Sequence, residues 1–417
     1  MSLRILIAPS GFKESLAADE VADCIATGVQ RVITDAEIRK APLVDGGEGF
    51  AKALVAATGG TLHPVQVTGP VGQPVEAHYG LLGDTQVKTA VLEMAAAAGL
   101  RLVPRDARDP LKTTTYGVGE LIKAALDAGV ERILVGCGDS GTNDGGAGMA
   151  QALGIRLLDA AGKELGQGGS ELIIKGCDDF IAAKGKGKEL GQGGSELIKL
   201  DAIDMSQRHP RLEQVQIDVA CNWHNLLCGP KGVARVFGPQ KGASPETVEQ
   251  LAAALDHYAD VIERELGIDV REMPGGGASG GLGTGLHVFL GATLHPHYDI
   301  VMQYLELDSL LRESDLVITA EGSIDFQTPR GKIPVEVAQR AKHYDLPVIA
   351  IAGTIGKDAQ VNFDYGIDSF STILKEPCTL GEAITNSSDL LTYATERVMR
   401  LIQVDQKLVV RQSNLAS

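Results

Sequence analysis

Aromatic side chains are scarce in this chain, at 4% of 417 residues with a single tryptophan. That leaves too few rings for the stacking faces that grip single-stranded nucleic acid. Positive charge is short as well, since 38 lysines and arginines face 54 acidic residues, for a formal charge of −16. A phosphate backbone or an anionic membrane surface would be repelled, so neither is expected as a partner, and any anionic substrate must be held locally. The six cysteines show no paired CxxC spacing. They are too few for a disulfide framework in a chain this long and point to reduced thiols in the cytoplasm. No apolar run approaches the roughly 18 residues of a membrane span. The opening LRILIA at 3–8 reads as a buried strand, too short and unflanked for a signal peptide.

What is abundant is glycine, 51 residues of it, with 44% hydrophobic residues to build cores. A chain of this length is expected to divide into two domains. The run most charged with meaning follows an apolar strand at 133–135, where six of the thirteen residues 136–148 are glycine and Asp139 and Asp144 stand among them. Glycine allows sharp turns and close approach to a ligand, and carboxylates hold cations. The run is therefore read either as a site for an anionic, metal-bound substrate or as a glycine-rich turn on an α/β scaffold.

Several further stretches place polar groups just beyond a strand, where parallel sheets present ligands. Lys13 lies in the turn after the first strand, with Ser15 expected to cap a helix whose apolar positions are Val21, Ile25, Val29 and Val32. Asp45 and Glu48 stand on the glycine turn 45–49, within reach of a metal or hydroxyl, or serving only as helix caps. Glu321, Asp325, Arg330 and Lys332 follow a buried strand at 315–319. If the two ends of the chain share a sheet, these groups gather at its carboxyl edge, with the middle of the chain inserted as a second domain facing that edge across a cleft.

In that middle, 61–87 reads as hairpins and the threonines 113–115 precede a helix. The loop 274–285, PGGGASGGLGTG, is the best phosphate-loop candidate by composition, although close packing of a glycine-rich helix explains it too. The loop GPQKG at 238–242, carrying Lys241, could approach nucleotide phosphates or simply turn the chain. Pro245 opens a long amphipathic helix through Val248, Leu251, Leu255 and Ile262, stopped at Gly267.

One feature is alien to ordinary fold logic: GKELGQGGSELI at 162–173 recurs unchanged at 187–198, offset by 187 − 162 = 25 residues. Two copies are too few for a solenoid. The repeat reads as a tandem duplication that added length to a surface loop, and the segment 162–186 is expected to lie outside the core and carry no catalytic group.

The motifs APSGFKES at 8–15, VDGGEG at 44–49, TNDGGAG at 142–148, GPQKG at 238–242, GGLG at 280–283 and EGSIDFQT at 321–328 resemble, in order and over nearly the whole chain, the bacterial glycerate kinase family of glycolate and glucarate breakdown. The resemblance implies a Rossmann-like parallel-sheet domain built from both chain ends (1–65 and 295–417) around an inserted α/β domain (66–294, with the duplication near 162–198 on its surface). It implies phosphoryl transfer from ATP to D-glycerate with Mg²⁺, giving 2-phospho-D-glycerate, and leaves room for a homodimer. Under it, Asp45 would orient or deprotonate the glycerate hydroxyl. Asp144, Asp325 and Glu321 would stand on the metal side, and Lys13 with Lys332 or Arg330 would take the carboxylate and the transferred group. Glu48 and Asn143 would contact substrate. Gly275, Gly276, Gly277, Ser279, Gly280, Gly281 and Lys241 would face the ATP phosphates. Ser10, Asn222 and Ser323 depart from the family pattern, which often has aspartate, aspartate and arginine there. A metal-dependent phosphohydrolase and a non-catalytic sugar-acid binding protein are the rival readings, and ATP consumption that depends on D-glycerate separates the three.

Overall fold

The computed structural model describes residues 2–12, 15–44, 46–83, 85–165, 193–329 and 331–416, with side chains to 404. In chain order the strands are β1 (Arg4–Ile7), β2 (Glu37–Lys40), β3 (Thr61–Thr68), β4 (Pro74–Leu81), β5 (Thr89–Glu93), β6 (Arg132–Gly136), β7 (Arg156–Asp159), β8 (Leu200–Asp204), β9 (Gln216–Cys221), β10 (Thr293–Pro296), β11 (Leu316–Ile324), β12 (Val348–Ile355) and β13 (Ser369–Thr372). They fall into two compact units, Met1–Val44 with Val301–Ser417, and Asp45–Ile300.

In the unit made from the chain ends, the sheet order is β13-β12-β11-β1-β2, parallel throughout. A parallel sheet covered on both faces demands strands that are apolar at every position. Ile5, Leu6 and Ile7 of β1 and Val317 and Ile318 of β11 are accordingly buried. The helices Ala18–Gln30 and Ser387–Ala416 pack together, close enough that a Cβ at Gly28 would fall 2.6 Å from the Thr392 carbonyl. Val21, Ile25 and Val29 are buried as their spacing predicts. Ser15 is not the cap: the helix starts two residues later, with Ala17 at the cap position and its N–H donating to Glu20 Oε2 at 2.8 Å. Phe12 and Leu16 are joined by an isolated bridge.

The inserted unit has the order β10-β9-β6-β5-β4-β3, parallel from β5 through β10 and antiparallel across β3, β4 and β5. The hairpin expected in 61–87 is the β3–β4 pair. The unit begins at 45 and ends at 300, not at 66 and 294, because the helix Phe50–Thr58 lays Leu54 and Val55 on this sheet. A Cβ at Gly80 of β4 would sit 2.2 Å from Val55 Cγ2, so that contact tolerates no side chain. The helix Pro245–Leu266 covers another part of this core through Leu251, Leu255, Tyr258 and Ile262. Ser244 caps it, accepting from Thr247 N at 3.2 Å, and Gly267 closes it in the left-handed region. No helix among the described residues is long and apolar enough to cross a membrane.

The duplicated segment needs a correction. Most of it, 166–192, lies outside the described residues. Its described flanks reach the core at Leu165 of the first copy, 6% exposed, and Leu197 of the second, 1% exposed, while Gly162, Lys163 and Ile198 are exposed. Leu165 N donates to Leu157 O of β7, and Gln151 Nε2 donates to Leu165 O. The fold thus uses the head of the first copy and the tail of the second.

Candidate active site

The carboxyl ends of β5, β6 and β9 carry the turn 46–49. Gly46 and Gly49 adopt φ of +84° and +89°, and Gly46 lies so near the strand ends that a Cβ would meet Ala220 O at 3.0 Å. Two carboxylates hold this turn. Asp139 Oδ2 accepts from Glu48 N at 3.0 Å, while Glu93 accepts from Gly49 N at 3.1 Å and Ala51 N at 2.8 Å. Glu93 is 1% exposed; burial pushes its carboxyl up, and the two amides pull the other way. Its role is to satisfy the open amides at the start of the helix Phe50–Thr58. The Glu48 side chain pairs with Arg101 near the surface. Asp45 lies outside the described residues, as do Lys13 and Arg330.

Behind this edge, Asp144 is 1% exposed and accepts four hydrogen bonds, from Thr115 N at 2.8 Å, Thr115 Oγ1 at 2.9 Å, Gly146 N at 3.2 Å and Gly148 N at 3.3 Å. Burial pushes its carboxyl up against those donors. Three of these donors engage Oδ2 and one, Gly146 N, engages Oδ1, so the fold takes up most of the acceptor capacity of the residue that its motif offers as a catalytic or metal-side carboxylate. Thr113–115 serve the same cage: Thr113 Oγ1 donates to Gly141 O at 2.9 Å.

Lys241 is likewise 2% exposed, and its Nζ donates to Ser140 Oγ at 2.9 Å, Thr142 O at 2.6 Å and Asn143 Oδ1 at 2.9 Å. Burial lowers the ammonium to about 7 against the attraction of Asp144. Three bonds exhaust its protons, so it is anchored to its own protein and not extended towards a nucleotide, contrary to its assignment from the sequence. Asn143 is fully buried between Lys241 and the glycine loop.

That loop is also put to structural use. The amides of Gly275, Gly276, Gly277 and Gly281 donate to Trp223 O, Met273 O, Asn225 O and Gly277 O, so they are not open to ATP phosphates. Ser279, Gly280 and Gly281 step through the left-handed region, φ +53°, +74° and +90°. Gly280 lies directly on the backbone of 142–143, where a Cβ would come within 1.9 Å of Thr142 O, and its carbonyl accepts from Gly145 N at 3.0 Å. Close backbone packing, the alternative reading of this composition, is what the glycines provide. The Ser279 hydroxyl lies against the Cys137 thiol. Burial raises the Cys137 and Cys221 thiols, the latter to about 12, which leaves neither as a nucleophile.

In the unit of the chain ends, β11 carries Glu321 along its final residues. Lys332 Nζ stands 3.8 Å from Glu321 Oε1 and donates to Ser323 O at 3.3 Å. Asp325 starts the turn beyond the strand, its Oδ1 accepting from Gln327 N at 2.8 Å. Asn362, which the sequence did not single out, braces that turn by donating to Asp325 O at 3.0 Å and Ala359 O at 2.8 Å. Ser10 donates through Oγ to Ala320 O at 3.0 Å, joining the first turn to β11. Glu93 also escaped the sequence reading as a site residue; the available signal was an acid ending the buried run TAVLE. Among the described residues no group of three or more His, Cys, Asp or Glu is placed to hold a metal ion.

Comparison with known proteins bears on both units. The glycerate kinase family model matches residues 5–178 and 179–403, with its break inside the duplicated segment. A glycerate kinase of Bacillus subtilis (strain 168) is 46% identical over 406 residues, 97% of this chain and 98% of its own. A glycerate 2-kinase of Escherichia coli (strain K12) is 43% identical over 405 residues, 97% and 99% of the two chains. A crystal structure described as a candidate glycerate kinase 2 from Salmonella typhimurium LT2 superposes with a TM-score of 0.81 at 45% identity, covering 98% of this chain and 100% of that one.

Proposed function

The chain belongs to the glycerate kinase family, and from that premise we propose that it transfers the γ-phosphoryl group of ATP to the 2-hydroxyl of D-glycerate, in the cytoplasm. The observation that carries this reading is 43% identity to a glycerate 2-kinase over 97% of the chain, with the fold to match.

Phosphoryl transfer asks little covalent help of a protein. It requires in-line positioning, cations for the charge on the transferred group, and a carboxylate near the attacking hydroxyl. Lys332, on the edge of its unit and only loosely engaged by Glu321, supplies a cation for the glycerate carboxylate or the phosphoryl oxygens. Asp45, Lys13 and Arg330 are assigned from their motifs: Asp45 takes the proton of the 2-hydroxyl, and the two cations hold substrate oxygens. Mg²⁺ keeps most of its waters and takes one or two protein carboxylates along with substrate phosphates. Asp325 fits that demand, since the fold engages its Oδ1 through one amide; the ion would neutralise phosphate charge there. Glu321 stands along the same strand as a further acid.

The test is ADP formation with and without D-glycerate, followed by the phosphorus NMR spectrum of the product. ADP formed only with D-glycerate, and 2-phospho-D-glycerate in the spectrum, is expected. Phosphate release that needs no acceptor would make the protein a hydrolase, and 3-phospho-D-glycerate would move the reaction to the other hydroxyl.

A further inference from the structure

Asn143 is held in a way the fold alone does not account for. Its Oδ1 accepts from Lys241 Nζ, which fixes the amide plane and tells oxygen from nitrogen, because an ammonium can only donate. Its Nδ2 then carries two N–H groups, and this buried atom has no hydrogen-bond partner among the described residues. The neighbouring Thr142 Oγ1 is in the same state. Buried polar atoms are almost always paired, so two adjacent orphans call for an explanation. The backbone here is also strained: Ser279, a residue with a side chain, holds φ of +53° beside Gly280, which rests on Thr142 and Asn143.

We propose that Lys241 is a positioning residue that turns Asn143 so that Nδ2, with Thr142 Oγ1, donates to an anionic oxygen of a substrate, a carboxylate or a phosphoryl oxygen. The inference rests on the kinase reading, which supplies both kinds of anion. An anion fits because the side-chain groups left over are donors, Asn143 N–H and a hydroxyl, beside a lysine. Asp144, the buried carboxylate of this cage among the described residues, accepts three donors on Oδ2 and one on Oδ1, and its charge is offset by the neighbouring Lys241 ammonium. Lys241 orients the amide in either protonation state. As an ammonium it makes all three bonds; as an amine its two N–H groups still reach Thr142 O and Asn143 Oδ1, with the Ser140 hydroxyl turned to donate. Among the described residues, the other ionisable groups facing this cage are Asp144 and Tyr258, whose hydroxyl donates to Gly145 O.

The variant Asn143→Asp tests this because it keeps an oxygen for Lys241 while replacing the N–H donors by a second acceptor. The expected result is a folded enzyme whose KM for one substrate, D-glycerate or MgATP, rises roughly 10- to 100-fold, the loss of one hydrogen bond to a charged group. The substrate affected identifies the anion. Lys241→Met is expected to raise the same KM, and the double variant to raise it no further, because the two residues act as one unit. A purely structural lysine would instead lower the melting temperature without moving that KM. Should Asn143→Asp fail to fold, Asn143→Ala carries the same comparison. Both KM values and kcat staying within threefold of the parent in a folded Asn143 variant overturns the proposal. If the parent shows no turnover that depends on D-glycerate, the kinase reading has failed separately. Calorimetric titration of parent and variant with MgATP, D-glycerate and inorganic phosphate then tests the donor itself, and equal binding of all three to both proteins overturns it.

Discussion

Replacing Glu93 by alanine should uncouple the turn 46–49 from the sheet that carries it. Two amides, Gly49 N and Ala51 N, would lose a buried carboxylate acceptor, each hydrogen bond to a charged group being worth about 1.5–3 kcal/mol. Against this stands relief from keeping a desolvated charge, which burial already disfavours. The net expectation is a loss of about 2–4 kcal/mol. Glu93→Gln, which retains one acceptor but turns an NH₂ towards the other amide, should lose about half as much. The pH dependence has a definite sign. In the folded chain this carboxyl lies above its ordinary 4.5, so between those two values the native state binds more protons than the unfolded one. Stability conferred by Glu93 is therefore fully present below 4.5 and declines as pH rises through the folded value, and the gap between parent and Glu93→Gln narrows with it. Urea unfolding followed through the fluorescence of Trp223, which belongs to the same unit, measures both effects. An alanine variant within 0.5 kcal/mol of the parent, or a gap that widens from about pH 4 to pH 8, would refute the reasoning.

Gly280→Ala is expected to cost at least 2–3 kcal/mol and to abolish soluble expression if the loop cannot move, because the new Cβ meets Thr142 O at 1.9 Å on a backbone of φ +74°; a melting temperature unchanged within 2 °C counts against the close packing described for the loop. Lys332→Met should lower kcat/KM for D-glycerate by about 10- to 100-fold with the melting temperature unmoved, since its contacts to Glu321 and Ser323 are long and part-exposed; unaltered steady-state kinetics would remove it from the site. Deleting 166–190 joins Leu165 to Gly191 and leaves GKELGQGGSELI once, with the core residues Leu165 and Leu197 in place. The shortened chain should fold and keep turnover within about threefold, provided that Leu165 and Gly193 lie within the roughly 11 Å that three Cα steps can span; loss of folding would show that the extra length is needed.

The parts of the fold that were readable from sequence are those written in periodicity. Val21, Ile25 and Val29 mark a helix face, and the largely apolar runs at 3–8 and 315–319 read as strands, which the parallel sheet carries as β1 and β11. The start of the inserted unit was misplaced because Leu54 and Val55 look the same whichever sheet they cover. Leu165 was misjudged for a similar reason: a repeat signals added length but does not say which copy the core retains.

The site residues are instructive in a different way. Asp144, Glu93 and Asp325 all stand at glycine-rich or strand-end turns, and pattern alone makes each a candidate for chemistry. Glycines that would let a ligand approach also let backbone amides converge on a carboxylate, so the same composition serves catalysis and architecture. What separates the two is how many acceptor positions the fold consumes. Three donors engage Oδ2 of Asp144 and one its Oδ1, one amide engages each oxygen of Glu93, and a single amide engages the side chain of Asp325. A carboxylate can serve a metal or a reacting hydroxyl only with lone pairs the protein has not claimed. By that count Asp325 and Asp139, each engaged through a single amide, keep more to offer than Asp144 and Glu93, which hold the turns in place.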